Sequence, residues 1–77
     1  MPRITPIHSK TLECIALKLG FKFERQESSH RIFSKPNLLR PFPIPNYKEL
    51  DVFIIKSFIR AAKITNEKYF ELLKECK

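Results

Sequence analysis

Apolar and polar positions along this chain switch from helical to strand spacing and back again. Leu12, Ile15, Ala16 and Leu19 recur at i, i+3, i+4 and i+7, the stripe of an amphipathic helix. Ser9 is placed to cap that helix, and Gly20 to end it in a left-handed conformation. Lys10, Glu13 and Lys18 fall off the stripe and are expected to face water. The period then drops to two. Phe21, Phe23 and Arg25 alternate with Lys22, Glu24 and Gln26, as in a half-buried strand. Beyond a turn at Glu27-Ser28-Ser29, His30, Ile32 and Ser34 share one side of a second strand, with Arg31, Phe33 and Lys35 on the other. The turn lacks Asn-Gly or Asp-Gly, which predicts a loop slightly longer than two residues.

Lys35-Pro36-Asn37 signals a further turn, and Leu38 to Pro45 reads as a third strand. Pro41, Pro43 and Pro45 are two apart, so their missing N–H groups fall on one side. Arg40, Phe42 and Ile44 can still pair on the other, the pattern of an edge strand. A polyproline-like connector is the alternative for this stretch. Helical spacing returns from Leu50 or Asp51 to about Lys63, where Ile54, Ile55, Phe58 and Ala62 form a stripe. Val52, Phe53 and Ile59 widen it, which predicts a largely buried helix. Thr65 or Asn66 can cap a last helix carrying Tyr69, Leu72, Leu73 and Cys76. The elements add up to one α+β domain over residues 1–77, ordered α-β-β-β-α-α, with three antiparallel strands and the helices on one sheet face.

Composition sharpens this only in part. With 77 residues the core must be thin, because a chain this short buries only about 60% of its unfolded surface. Fifteen Lys and Arg against eight Asp and Glu give a net charge of +7, a field that favours a polyanionic partner. A solvated lysine-rich face would give the same count. Cys14 and Cys76 have no metal-site spacing and both fall on apolar stripes. They read as small buried hydrophobes in a reducing compartment. Neither a signal-peptide core nor a membrane-length apolar run is present, so a cytoplasmic location is expected. His8, just ahead of the first helix, reads as a surface residue.

His30 carries the candidate chemistry. An imidazole titrates near neutrality, and this one stands at a strand start with Arg25, Arg31 and Lys35 close in sequence. A polar strand residue with no reactive role is the other reading of the same position. Phe21, Phe23, Phe42 and Phe58 all fit core stripes. Tyr47 is the one aromatic in a polar loop and the candidate for stacking on a base.

Several strings, in order along nearly the whole chain, resemble the HicA/YcfA family of messenger-RNA interferase toxins. Leu19-Gly20-Phe21 resembles the family's helix exit, and Arg25-Gln26-Glu27-Ser28-Ser29-His30 its R-Q-x-G-S-H string. Ile44-Pro45 followed by Lys48-Glu49-Leu50 resembles the approach to its second helix. Ile59 to Thr65 resembles I-L-R-Q-A-G-I-S, and Phe70-Glu71-Leu72-Leu73 resembles E-F-L-E-L-L. The resemblance implies a fold like that of double-stranded-RNA-binding domains, ribosome-independent cleavage of RNA with His30 as the catalytic residue, and a HicB-like antitoxin that masks this surface. Lys22, Arg25, Ser29, Arg31 and Lys35 are the RNA-binding candidates beside it. No cofactor or metal is expected, and the simplest chemistry is metal-free acid–base catalysis.

The chain departs from the family pattern at two glycines, replaced by Ser28 and Lys63, and at the P-x-H after the third strand, where Pro45-Asn46-Tyr47 stands. Glycine at a turn often supplies a positive φ, which costs serine and lysine more. A catalytically inactive RNA-binding or antitoxin-binding module of the same fold is therefore the alternative function.

Overall fold

The computed structural model describes residues 3–36 and 40–76. Its elements are α1 (Ser9–Lys18), β1 (Lys22–Glu27), β2 (His30–Ser34), β3 (Phe42–Pro45), α2 (Val52–Ala62) and α3 (Asn66–Cys76). This is the expected α+β order, with an antiparallel sheet in the order β1-β2-β3. Leu38 and Asn37, assigned above to the third strand and the turn before it, lie outside the described residues.

Capping chemistry sets the helix ends. Helix α1 starts one residue earlier than the serine suggests. His8 is its N-cap, and His8 Nδ1 accepts the Lys10 N–H at 3.0 Å. Ser9 is instead fully buried. Gly20, at φ +95, follows the helix as its sequence position predicts. Asp51 caps α2 by accepting the Phe53 N–H at 3.0 Å, and Thr65 caps α3 by accepting the Lys68 N–H at 3.0 Å. Helix α2 ends on Lys63 in the left-handed conformation, φ 57.

Phe42 and Ile44 face Phe33 and Arg31 across the β2–β3 ladder, so β3 is an edge strand with its proline nitrogens turned away from β2. The core lies between the sheet and the helices. Leu12, Ile15, Ala16, Phe33, Ile44, Ile55, Phe58, Tyr69, Leu72 and Leu73 meet there. Phe58 of α2 stands between Phe21 and Phe42, at ring-centroid distances of 5.4 and 5.5 Å. Two phenylalanines assigned to this core are outside it: Phe53 is 77% exposed and Phe23 is 44% exposed. Phe53 lies on the side of α2 opposite the buried stripe of Ile55, Phe58, Ile59 and Ala62, together with exposed Lys56 and Arg60. Phe23 meets Phe33 edge-on and lies under the Arg31 guanidinium, and the rest of its surface is exposed.

The cysteines correct the sequence expectation most sharply. Cys14 and Cys76 are bonded to each other, with Cα atoms 5.9 Å apart, and both are half-buried. Helices α1 and α3 pack together, and that packing joins residues 62 positions apart. The argument from unbonded thiols to a reducing compartment does not carry over. No described helix is long and apolar enough to cross a membrane.

Two outcomes for stability follow. Closing a loop of this length is worth about 4 kcal/mol in the chain-entropy account. Reduction should therefore lower the unfolding midpoint markedly; an unchanged midpoint in reductant would contradict the cross-link. Burial pushes the Tyr69 phenol up to about 12, and among the described residues its hydroxyl has no hydrogen-bond partner. The folded value lies above the ordinary 10.0, so this contribution is complete below about pH 10 and is lost as pH rises toward 12. Denaturant melts across that window should show a loss of up to ~3 kcal/mol that Tyr69→Phe removes. A variant with the same alkaline loss as wild type would place the effect elsewhere.

Candidate functional site

The β1–β2 hairpin builds the site, and its register decides which side chains meet. Phe23 pairs with Phe33, but the next pair is Arg25 with Ile32, so Glu24 is an inserted residue, a β-bulge. The alternation expected through Phe21, Phe23 and Arg25 breaks at this point. Phe23 stays on the helix-covered face with Phe33. Arg25 moves to the opposite face, with Ile32, Glu27 and His30.

The turn is tighter than expected. Glu27 pairs directly with His30, leaving only Ser28 and Ser29 between the strands. Ser28 makes this possible at φ 55 without being glycine. The Ser29 carbonyl accepts the Asn46 N–H at 2.7 Å, which ties the turn to the end of β3. His30 is half-buried here, on the sheet face away from the helical core.

Two open grooves share His30 as a wall. One, of about 330 Å³, is lined by Arg25, Glu27, His30, Ile32, Pro41 and Pro43. The other, of about 260 Å³, lies toward α2 and is lined by His30, Phe42, Pro43, Pro45, Phe53, Ile54 and Ser57. In the first groove Arg25 Nε–H donates to Glu27 Oε1 at 2.8 Å. That bond and the Glu27 charge raise the Arg25 guanidinium still further above its ordinary value, so Arg25 is a permanent cation.

The six candidate residues therefore separate. His30, Arg25 and Ser29 come together around the turn. Lys22 is on the same face but pairs with Ser34, at the far end of the strands and about 14 Å along β2 from His30. Lys35 lies beyond that end, its Nζ 5.8 Å from the centre of the Phe21 ring. Arg31 is on the other face altogether. Its Nε–H donates to Glu13 Oε1 at 3.0 Å, and its guanidinium carbon is 4.3 Å from the centre of the Phe23 ring. Glu13, expected to face water, is consequently only 14% exposed at its side chain and fastens α1 to β2.

Sequence reasoning passed over Glu27 and Phe53. No periodic signal marks Glu27, which meets His30 only through the two-residue turn. Helical spacing puts Phe53 opposite the buried stripe of Ile55, Phe58, Ile59 and Ala62, on the side of Lys56 and Arg60, but the breadth of apolar residues in α2 masks it. Tyr47 is exposed but lines neither groove. Among the described residues no group of three or more His, Cys, Asp or Glu side chains is placed to hold a metal ion.

The two left-handed residues yield a direct test. A non-glycine residue there costs on the order of 1 kcal/mol, partly offset by the greater freedom of glycine in the unfolded chain. Ser28→Gly and Lys63→Gly should each raise stability by roughly 0.5–1 kcal/mol, a few degrees in the melting midpoint. Lower midpoints for both variants would mean that the serine and lysine side chains contribute more than their backbones cost.

This hairpin, both left-handed positions and His30 all fall within a known family pattern. A family model described as HicA toxin of bacterial toxin-antitoxin matches residues 6–64, ending just before the Thr65 cap of α3. Comparison with curated proteins and with solved structures gave no match. The matched stretch spans most of the chain and every element that positions the histidine, so the protein belongs to the HicA toxin family.

Proposed function

We propose that this toxin cleaves RNA, with His30 carrying the proton transfers and no metal taking part. The observation that supports this best is the position of His30: a half-buried imidazole at the meeting of two grooves, on a sheet face outside the helical core. An extended polyanion can cross that face without displacing any described helix or strand.

The chemistry suits the residue. Neutral imidazole takes the proton of a ribose 2′-hydroxyl, and the freed oxygen bonds to the adjacent phosphorus. The bond from phosphorus to the 5′-oxygen then breaks, and that oxygen leaves as a hydroxyl by taking a proton from the imidazolium, which returns His30 to its neutral form. The products are a 2′,3′-cyclic phosphate and a 5′-hydroxyl end. Negative charge grows on the phosphoryl oxygens along the way, and a cation already in place stabilises it most. Arg25 is the cation that lines a groove with His30. The Glu27 bond engages its Nε–H and leaves its Nη donors for a phosphate oxygen. Ser29 is beside the histidine, and Lys22 is on the same face toward the far end of the strands, a candidate for a more distant phosphate. Arg31 and Lys35 are engaged with Glu13 and near the Phe21 ring, so the proposal gives them no phosphate.

Ser28 bears on whether the site is active. Its φ of 55 is the conformation that a glycine at that turn would supply, so the hairpin geometry is kept. A HicB-like antitoxin is the proposed protein partner. Net charge +7 suits an acidic antitoxin surface as well as RNA.

Cleavage of a labelled single-stranded RNA in EDTA, by wild type and by His30→Ala, tests the reading. Wild type should cut and leave 2′,3′-cyclic phosphate ends. His30→Ala should fall to background while melting like wild type. Equal background from both folded proteins would leave a binding domain in place of a nuclease.

A further inference from the structure

Among the described residues Phe53 is the most exposed of the large apolar side chains, and it shares a groove with His30. Its position is fixed by the α2 cap, because Asp51 holds the Phe53 N–H at 3.0 Å and so orients the first helical turn. From there the ring forms one wall of the groove that Phe42, Pro43, Pro45, Ile54 and Ser57 complete and that the His30 ring closes. The lining is mostly apolar, with the Ser57 hydroxyl as a donor and acceptor. At about 260 Å³ it falls below the roughly 300–1,000 Å³ of pockets that enclose a whole small-molecule ligand. A single planar ring system fits it better.

We propose that this groove is a nucleobase subsite, in which Phe53 stacks on a base adjoining the phosphate that is cut. The proposal rests on the RNA-cleaving reading above. A strand with its reacting phosphorus at His30 has nucleotides on both sides of that point, and the two grooves meeting at His30 are where they go. The groove with Arg25 carries a guanidinium, which suits the ribose-phosphate backbone. The groove with Phe53 offers no charged side chain and suits a base. Single-stranded RNA is ordinarily held in this way, by bases turned outward onto aromatic faces while cations follow the backbone. Stacking accepts any base, and the Ser57 hydroxyl is placed to favour one base edge over another.

The test compares wild type, Phe53→Ala and Phe53→Trp on a short RNA, and on the same RNA with an abasic nucleotide walked through each position. Phe53→Ala should lower kcat/KM by roughly 5- to 150-fold, the range that loss of one stacked base implies. Phe53→Trp should recover most of that loss. At one abasic position next to the cut, wild type should lose a similar factor and Phe53→Ala should lose little more. A structural role for Phe53 would not produce that non-additivity. Because the side chain is 77% exposed, Phe53→Ala should melt like wild type.

Cleavage by Phe53→Ala at the wild-type rate would overturn the subsite. So would full additivity with every abasic position, or a loss of antitoxin binding with cleavage intact, which would assign the groove to a protein partner. Absence of any cleavage above His30→Ala would remove the nuclease reading instead, and fluorescence would then decide the subsite separately. The chain contains no tryptophan, so Phe53→Trp carries a single reporter. Quenching by the intact RNA but not by its abasic form supports a stacked base, and no change with saturating RNA refutes it.

Discussion

The register of the β1–β2 hairpin is the constraint on which the candidate site depends. Side chains in a strand alternate faces with a period of two, so one residue inserted or removed exchanges the faces of everything beyond it. Glu24 is such an insertion. Before it, Phe23 stacks edge-on against Phe33 over the core side. After it, Arg25 and Glu27 share the open side with His30. The turn fixes the other end of this register. Ser28 takes a left-handed conformation so that two residues suffice, and Asn46 anchors Ser29 to the third strand. Without the bulge, Arg25 would point toward the helices, where the Arg31–Glu13 pair already lies.

A domain this small has little core to spend on holding that hairpin. The aromatic column through Phe21, Phe58 and Phe42 ties the hairpin entry, the central helix and the edge strand to one another. The Arg31–Glu13 pair, backed by the Phe23 ring, ties the second strand to α1; it adds geometry more than energy, since such pairs are worth about 1 kcal/mol or less. The disulfide holds α3 to α1 beyond the stretch matched by the family model. The buried Tyr69 hydroxyl, with no partner among the described residues, works against this economy.

The excess of positive charge has no single destination. Arg25 faces the candidate site, Arg31 is turned into the helical side, and Lys18 and Lys68 pair with Glu75 and Glu71 on the helices. A net charge of +7 therefore describes the field around the molecule better than it locates a binding face.

The order of elements, the edge character of β3, the Thr65 cap and the glycine exit from α1 were all legible in the sequence. Each follows from local rules: apolar spacing, proline's missing N–H, and the conformations open to a capping or glycine residue. The alternation of His30 and Ile32 against Arg31 and Phe33 was legible for the same reason. Four features were not. The bulge at Glu24 leaves the period of the surrounding residues intact on paper, and only pairing with β2 exposes it. The Cys14–Cys76 bond joins residues that meet only once α1 and α3 have packed. Phe53 carries the same apolar label as Ile55 and Phe58, and the breadth of apolar residues in α2 hid its place on the opposite side of the helix. Glu27 becomes a neighbour of His30 only because the turn closes in two residues. Local chemistry determined which elements form; distances between residues far apart in the chain determined which side chains stand together, and those distances exist only in the folded molecule.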